Sequence, residues 1–254
     1  MESYLVRKEQ CPECAKQGKD NSHDNLAVYS DGHSHCFSCG FTISNGVISR
    51  FRQRISSTGE LDKQKSGLYL PEDCDTVYPR VALDWIEQYE LTKTDLLNNN
   101  ALWSESSQRL IFPVYGDSGL LAYQGRYFGP PSSGKPYPKW YGKGDLGSTF
   151  NILGRSSSTK LVLTEDIISA IKCSKFCLAM PLYGSHVGVV RFKRLYSLYG
   201  KTLTVSVYLD PDKRKEAVLE ARRGTLVGLN TETIFSDKDP KEHTYEELKE
   251  ILNV

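Results

Sequence analysis

The residues of this chain whose types and spacing could do chemistry are a set of acids and a set of thiols. Glu165 closes the apolar run Leu161, Val162, Leu163 and Thr164, and Asp210 and Asp212 close a second run, Val205 to Leu209. Each run is short, rich in β-branched residues and unalternating, which predicts a strand buried on both faces of a parallel sheet. In open α/β sheets the chemistry collects beyond the carboxyl ends of the strands, so Glu165, Asp210 and Asp212 are expected to meet at one edge. Three carboxylates there need cations, and hard oxygen ligands beside phosphate substrates favour Mg²⁺.

The thiols lie near the start. Cys11-Pro-Glu-Cys14 and Cys36-Phe-Ser-Cys39 are two knuckles, each holding two thiolates close enough to share one ion, and together they predict a tetrahedral Cys₄ zinc ribbon. Redox use of a Cys-x-x-Cys pair is the rival. It is weakened because there are two knuckles and neither opens a helix after a strand in a thioredoxin-like context. A ribbon with so few apolar residues takes most of its stability from the metal. The remaining cysteines, Cys74, Cys173 and Cys177, make an odd total of 7, which suits a reducing cytosol better than a disulfide framework.

Composition places no membrane or secretory demand on the chain. Charged residues at 25% and hydrophobic residues at 39% are ordinary for a soluble protein, no apolar run approaches a membrane span, and Met1-Glu-Ser-Tyr is no signal segment. A cytoplasmic location is the expectation. The net charge of +1 hides segregation. Arg50, Arg52, Arg54, Lys63 and Lys65 face only Glu60 and Asp62, and the stretch from Arg126 to Lys143 holds Arg126, Lys135, Lys139 and Lys143 with no acid. Such stretches suit a polyanion, or are solvated surface.

Four segments must position these groups. Residues 1–45 form the zinc ribbon, where Leu26 to Tyr29 reads as a strand and Ser30-Asp31-Gly32 as a turn into His33 and His35. The histidines are either spare ligands and packing residues of the ribbon or outward-facing readers of bases. Residues 46–67 are polar and basic, a flexible tether centred on Ser56-Ser-Thr-Gly59. Residues 68–154 carry a helix face of Ala82, Trp85, Ile86 and Tyr89, a second short helix capped by Thr92, and a hairpin of strands 109–115 and 120–127. The run that follows, Arg126 to Tyr141, sets cations beside flat rings. Lys139, Trp140 and Tyr141 suit a strand of nucleic acid, or the rings simply pack in a half-buried loop. Residues 155–254 alternate strands at 161–164, 176–180, 203–209 and 231–235 with helices from about 167, 187, 213 and 244, which implies a mostly parallel, helix-covered sheet. Ala217, Val218 and Ala221 supply an inward face for the helix after the aspartates.

Leu163-Thr164-Glu165 followed by a helix, with Leu209-Asp210-Pro211-Asp212 later, resembles the topoisomerase-primase (toprim) fold. With a four-cysteine site ahead of it, the chain resembles the primase part, zinc-binding domain plus toprim RNA polymerase domain, of bacteriophage primase-helicases. The fold class this implies is α/β: a Cys₄ zinc ribbon, a linker, and a two-part core with a toprim catalytic subdomain. The activity it implies is synthesis of short RNA primers from ribonucleoside triphosphates on single-stranded DNA. By the resemblance, Asp31 and His33 help choose the template trinucleotide, Arg126, Lys139 and Trp140 contact template or nucleotide, and Glu165, Asp210, Asp212 and Asp239 hold two Mg²⁺ ions. Glu165 is also the counterpart of a proposed general base. Asp239 is chosen over Asp237 because Lys238-Asp239 matches a Lys-Asp element of the family, although a mixed-charge loop is also common as plain surface.

Asp166 stands where the family has Gly, Ser169 stands where it has an acid, and no Gly follows Asp212. Asp166 either replaces the missing acid or caps the helix. No phosphate-binding Gly-x-x-x-x-Gly-Lys-Ser/Thr run is present, so a separately encoded helicase and DNA polymerase are the expected partners. Two other readings stand: a toprim nuclease or topoisomerase-like strand cleaver, and a non-catalytic zinc-bearing DNA-binding or recombination-mediator protein.

Overall fold

The apolar runs that carry the acids become adjacent strands, and the crossover helices bury both of their faces. In the computed structural model the described residues are 5–16, 18, 20, 22–30, 34–36, 38, 41–44, 47–50, 68–116, 119–130, 137–154 and 158–254. The chain divides into two units, Met1–Lys63 and Gln64–Val254.

In the first unit, strands β1 (Leu5–Glu9), β2 (Leu26–Tyr29), β3 (Ser34–Cys36), β4 (Phe41–Ser44) and β5 (Val47–Arg50) form an antiparallel sheet in chain order. Helix α1 (Pro12–Lys16) follows β1 and carries Cys14. Val47–Arg50 falls in the stretch expected to be tether. It pairs instead with β4, Ser44 opposite Val47 and Phe41 opposite Arg50, so these four residues belong to the sheet. The rest of that stretch, 51–67, lies outside the described residues. Among the described residues the core of this unit is Cys11, Cys14, Leu26, Cys36 and Phe41.

The second unit contains two sheets. One is antiparallel, built from β6 (Cys74–Asp75), β7 (Leu102–Ser104), β8 (Arg109–Gly116), β9 (Gly119–Tyr127) and β10 (Trp140–Gly144), in the order β10-β9-β8-β7-β6. The hairpin expected over 109–127 is β8 and β9, closed by Gly116 opposite Gly119. The basic aromatic run is partly a strand: β10 pairs with β9, Trp140 opposite Arg126 and Lys143 opposite Tyr123. Helices α2 (Arg80–Glu87) and α3 (Lys93–Asn98) precede this sheet. The Thr92 side chain and the Asp95 carboxylate form a reciprocal capping box at the start of α3. Ala82 and Ile86 are buried as their spacing predicts, whereas Trp85 and Tyr89 are half-buried and lie in an aromatic cluster described below.

The other sheet is fully parallel: β11 (Lys160–Thr164), β12 (Leu178–Pro181), β13 (Thr204–Val207) and β14 (Asn230–Thr233), in the order β12-β11-β13-β14. Its crossovers include α4 (Ile167–Cys173), α5 (Val189–Tyr199) and α6 (Arg214–Val227), and α7 (Tyr245–Leu252) follows β14. Leu161, Leu163, Val205 and Val207 pack with Phe192 and Leu195 of α5 and Ala217 and Ala221 of α6. Val162 and Ala179 look the other way, onto Ala170 and Cys173 of α4 and Leu248 and Leu252 of α7. Burial on both faces is why these strands show no alternation. In α6 the inward residues are Ala217, Glu220, Ala221 and Gly224, while Val218 is only partly buried and lines an open groove beside Phe235. Gly154 is required by geometry: its φ is +97°, and a Cβ there would come within 2.3 Å of the Cys177 carbonyl oxygen.

Ile167, Ile168 and Ile171 face the cluster made by Ile86, Leu91, Leu96, Leu110 and Phe112, so α4 joins the antiparallel part of this unit to the parallel sheet. Cys173 and Cys177 are core residues, with burial pushing the Cys177 thiol up to about 11 and Cys173 well above its ordinary value. They are inert packing thiols. Among the described residues no helix is long and apolar enough to cross a membrane.

Candidate active site and metal centres

At the carboxyl edge of the parallel sheet the ladder runs one step past the strands. The Tyr208 amide donates to the Leu163 carbonyl at 2.9 Å and the Ile234 amide to the Val207 carbonyl at 3.0 Å. Glu165, Asp210 and Asp239 therefore follow three neighbouring strands, β11, β13 and β14. The loop after β12 runs beside them, with the Gly184 amide donating to the Glu165 carbonyl at 3.1 Å.

Glu165 and Asp210 share an unusual state. Glu165 Oε2 and Asp210 Oδ1 are each buried without a hydrogen-bond partner, which is costly for any carboxylate. Burial is the main cause pushing the Asp210 carboxyl up to about 7, and the charges of Asp239 and Glu165 add to it against the opposing Lys241. Glu165 is also raised, by burial first, with Lys213 opposing and Asp212, Asp166 and Asp239 reinforcing. These carboxyl groups thus lie close enough to repel one another, as their strand positions predict.

Asp212 differs from its neighbour. Pro211 ends the extended backbone and starts a 3₁₀ turn over Pro211–Lys213, which carries Asp212 to the surface. Its side chain is 71% exposed and pairs with Lys213 at 2.9 Å. The side-chain hydrogen bond from Lys213 holds the Asp212 carboxyl below its ordinary range. Asp239 caps a second 3₁₀ turn, Pro240–Glu242, and is bound by Lys241 at 2.6 Å.

Asp166 is a helix cap. Its Oδ1 accepts from the amides of Ile168 at 2.8 Å and Ser169 at 3.0 Å, and its Oδ2 from the Ser169 hydroxyl at 2.9 Å and from Lys241 Nζ at 3.0 Å. Ser169 is therefore fully engaged by Asp166, and neither stands free for an ion. No three carboxylates at this edge bring their ligand atoms within 4.8 Å of one another, a spacing reached among the described residues only by the thiols of Cys11, Cys14 and Cys36. An open acidic edge suits Mg²⁺, which keeps several waters and takes further ligands from substrate phosphates.

The three thiols form the other centre. Cys11, Cys14 and Cys36 are buried, and Cys14 Sγ lies 3.6 Å from Cys36 Sγ. That is far too long for a disulfide and near the roughly 3.8 Å edge of a tetrahedron with metal–sulfur bonds of about 2.3 Å. The cluster can hold a metal ion, and its donors are those zinc prefers. Buried Asp20 braces it, accepting the Cys11 amide at 2.6 Å and the Asp24 amide at 3.2 Å. The sequence reading did not single out Asp20, which no spacing rule marks. Cys39, Asp31 and His33 lie outside the described residues. His35 is on β3, opposite Ala27 and Thr42.

Of the nucleic-acid candidates, Arg126 and Trp140 come together and Lys139 does not join them. The Arg126 guanidinium lies 5.0 Å from the Trp85 ring centre and 5.7 Å from those of both Phe128 and Trp140. Its Nε is buried without a partner, and burial lowers its pKa. The side chain of Lys139 is exposed, while its carbonyl accepts the Tyr127 amide at 3.0 Å. Buried Arg109 pins this stretch, donating to the Gly125 carbonyl at 2.9 Å and the Pro138 carbonyl at 3.0 Å between the rings of Tyr127 and Tyr141.

A cysteine cluster on a small antiparallel sheet, followed by an antiparallel sheet joined to a parallel α/β layer, is the architecture of a primase zinc-binding domain and core. The chain has that fold. It is similar to the primase fragment of the bacteriophage T7 primase-helicase protein, with a TM-score of 0.50 and 11% identity over 98% of each chain. It is also similar to the zinc-binding and RNA polymerase domains of the Aquifex aeolicus primase, with a TM-score of 0.54 and 13% identity over 100% of this chain and 80% of that one. No known family profile matches the sequence, and no curated protein sequence matches it.

Proposed function

We propose that this protein is a DNA primase that makes short RNA primers on single-stranded DNA, with Mg²⁺-dependent nucleotidyl transfer at the edge formed by Glu165, Asp210 and Asp212. The observation that carries the reading is the pair of buried, unpartnered carboxylate oxygens on Glu165 and Asp210 in a chain with the primase fold. Two such oxygens on neighbouring strands are poorly placed in the absence of a cation and well placed in its presence. The parallel layer in which they sit is, in this proposal, a toprim subdomain.

Primer synthesis joins nucleotides by attack of a 3′-hydroxyl on an α-phosphate, expelling pyrophosphate. Bound Mg²⁺ supplies neutralisation of the charge that builds on the phosphoryl oxygens. Asp210 and Glu165 orient the reacting groups by anchoring that charge, and Asp212 reaches the edge from solvent. Glu165 is, by the resemblance, the residue that would accept the hydroxyl proton. Arg126, backed by Trp85 and Trp140, offers its outer nitrogens to a phosphate while the rings offer faces to a base. Lys139 adds an exposed cation just before β10.

Cys11, Cys14 and Cys36 hold zinc in this proposal, Cys39 completes the tetrahedron, and Asp31 and His33 read the template. A phage replication setting, with a helicase and a DNA polymerase as partners, follows from the same resemblance.

The test is an assay on single-stranded DNA carrying varied trinucleotides, with Mg²⁺ and labelled ribonucleotides. Short RNA products that depend on the trinucleotide are expected. Cut DNA, or DNA binding with no RNA made, overturns the proposal.

A further inference from the structure

The third acid at the sheet edge already has its cation. Lys241 Nζ lies 2.6 Å from Asp239 Oδ2 and 3.0 Å from Asp166 Oδ2, and its side chain is only 15% exposed. The ammonium is fixed from behind. Pro240 is buried, the Asp239 and Glu242 capping box closes the turn, and the Lys241 carbonyl accepts from Lys172 Nζ at 3.1 Å. Lys172 is itself buried on α4, and it also donates to the His243 carbonyl. Asp166 spends its other contacts on Ile168 and Ser169. Thus two of the carboxylates near the edge are satisfied by a charge the chain carries, and the unpartnered oxygens are those of Glu165 and Asp210.

We propose that Lys241 is a positioning residue that acts as the site's second cation: it keeps Asp166 and Asp239 out of metal coordination and limits the edge to one divalent ion, on Glu165 and Asp210. The inference rests on the reading above that these acids bind a divalent ion. A second dication at Asp239 would have to displace an ammonium held by two carboxylates and a braced backbone, and would meet its repulsion if it did not.

Mn²⁺ binding to the full zinc-loaded chain, read by electron paramagnetic resonance, tests this without an activity measurement. The wild type is expected to bind one Mn²⁺, lost in Glu165→Gln. Lys241→Met is expected to bind two, Lys241→Arg to stay at one, and Lys241→Met combined with Asp239→Asn to return to one. Circular dichroism melts show that each variant is folded. Should Lys241→Met unfold, Lys241→Gln, which keeps a hydrogen-bond donor for Asp239, takes its place with the same expectation. Two ions on the wild type, or one on folded Lys241→Met and Lys241→Gln, overturn the role of Lys241 while leaving the metal reading intact. No Mn²⁺ on the wild type, with Glu165→Gln indistinguishable from it, overturns both.

Discussion

Lys172 on α4 and Glu90, between α2 and α3, form an ion pair of 2.9 Å in which the lysine is fully buried and the glutamate is not. The same ammonium donates to the carbonyls of Lys241 and His243. One side chain thus joins the antiparallel part of the second unit, the helix after Glu165, and the turn that bears Asp239. Lys172→Met keeps the apolar stem but removes the donor to one buried and one part-buried carbonyl. A loss of about 2–4 kcal/mol is expected from denaturant unfolding, at roughly 1–2 kcal/mol per carbonyl. A cost within about 0.5 kcal/mol, the range of an ordinary surface change, would show that the junction is held by packing alone.

Glu165→Gln and Asp210→Asn each remove a charge at nearly constant volume. Primer synthesis is expected to fall by at least about a hundredfold in either variant, with an unchanged circular dichroism spectrum. Wild-type yields from both would refute the assignment of this edge.

Asp210 titrates near 7 in the folded chain against an ordinary 3.8, so between those values the folded state keeps a proton that the unfolded chain has released. Metal-free stability therefore falls as pH rises through that window. Mg²⁺ needs the ionised form, so its affinity rises over the same range. The gain in melting temperature on adding Mg²⁺ is expected to be larger at about pH 8 than at about pH 5.5. Metal-free Asp210→Asn should melt at or above the wild type at the higher pH, with the difference closing at the lower. A Mg²⁺ effect that does not change with pH would contradict the burial of Asp210.

Among the described residues the core of the first unit is Cys11, Cys14, Leu26, Cys36 and Phe41, so a metal held there would supply most of its stability. Chelation, or Cys36→Ser, is expected to release one zinc per chain and melt this unit. The second unit, with its own cores, should keep its cooperative transition. Initiation should lose its site preference while extension of a supplied primer persists. Unchanged site choice in zinc-free protein would remove the reader role.

Arg126→Ala takes the guanidinium from between Trp85, Phe128 and Trp140. A stability cost of about 1–2 kcal/mol is expected from the lost ring contacts, together with a raised KM for ribonucleotides or weaker template binding. Arg126→Lys, which keeps charge without the flat fork, should recover little of the second effect. A variant that changes stability alone would make this arginine a packing residue.

The parallel sheet was legible because burial on both faces leaves a direct mark on composition, and because β11 and β13 each lead into an acid. The Thr92 cap was equally plain, since capping is a local event. Strand β10 was hidden: Trp140-Tyr-Gly-Lys-Gly has no strand pattern of its own and is extended because β9 offers it a partner. Strand β5 was hidden in the same way within a polar stretch. Lys241 was invisible for another reason. In sequence it is one lysine in a mixed-charge loop, and only the meeting of that loop with the cap of α4 turns it into a bridge between Asp166 and Asp239. The family pattern drew attention to Ser169 as a missing acid. In the structure Ser169 instead donates to Asp166, on the same carboxylate oxygen that accepts from Lys241.

Trp85, Trp103 and Trp140 are all the tryptophans in the chain. All three are tied into one group of rings around Arg126: Trp85 to Trp140 at 5.9 Å, Trp85 to Phe128 at 5.4 Å and Trp103 to Phe128 at 6.1 Å. A ligand that draws the guanidinium outward changes the electrostatic field at most of the indoles together, and no indole elsewhere dilutes the signal. The protein is its own fluorescent gauge of what occupies this face.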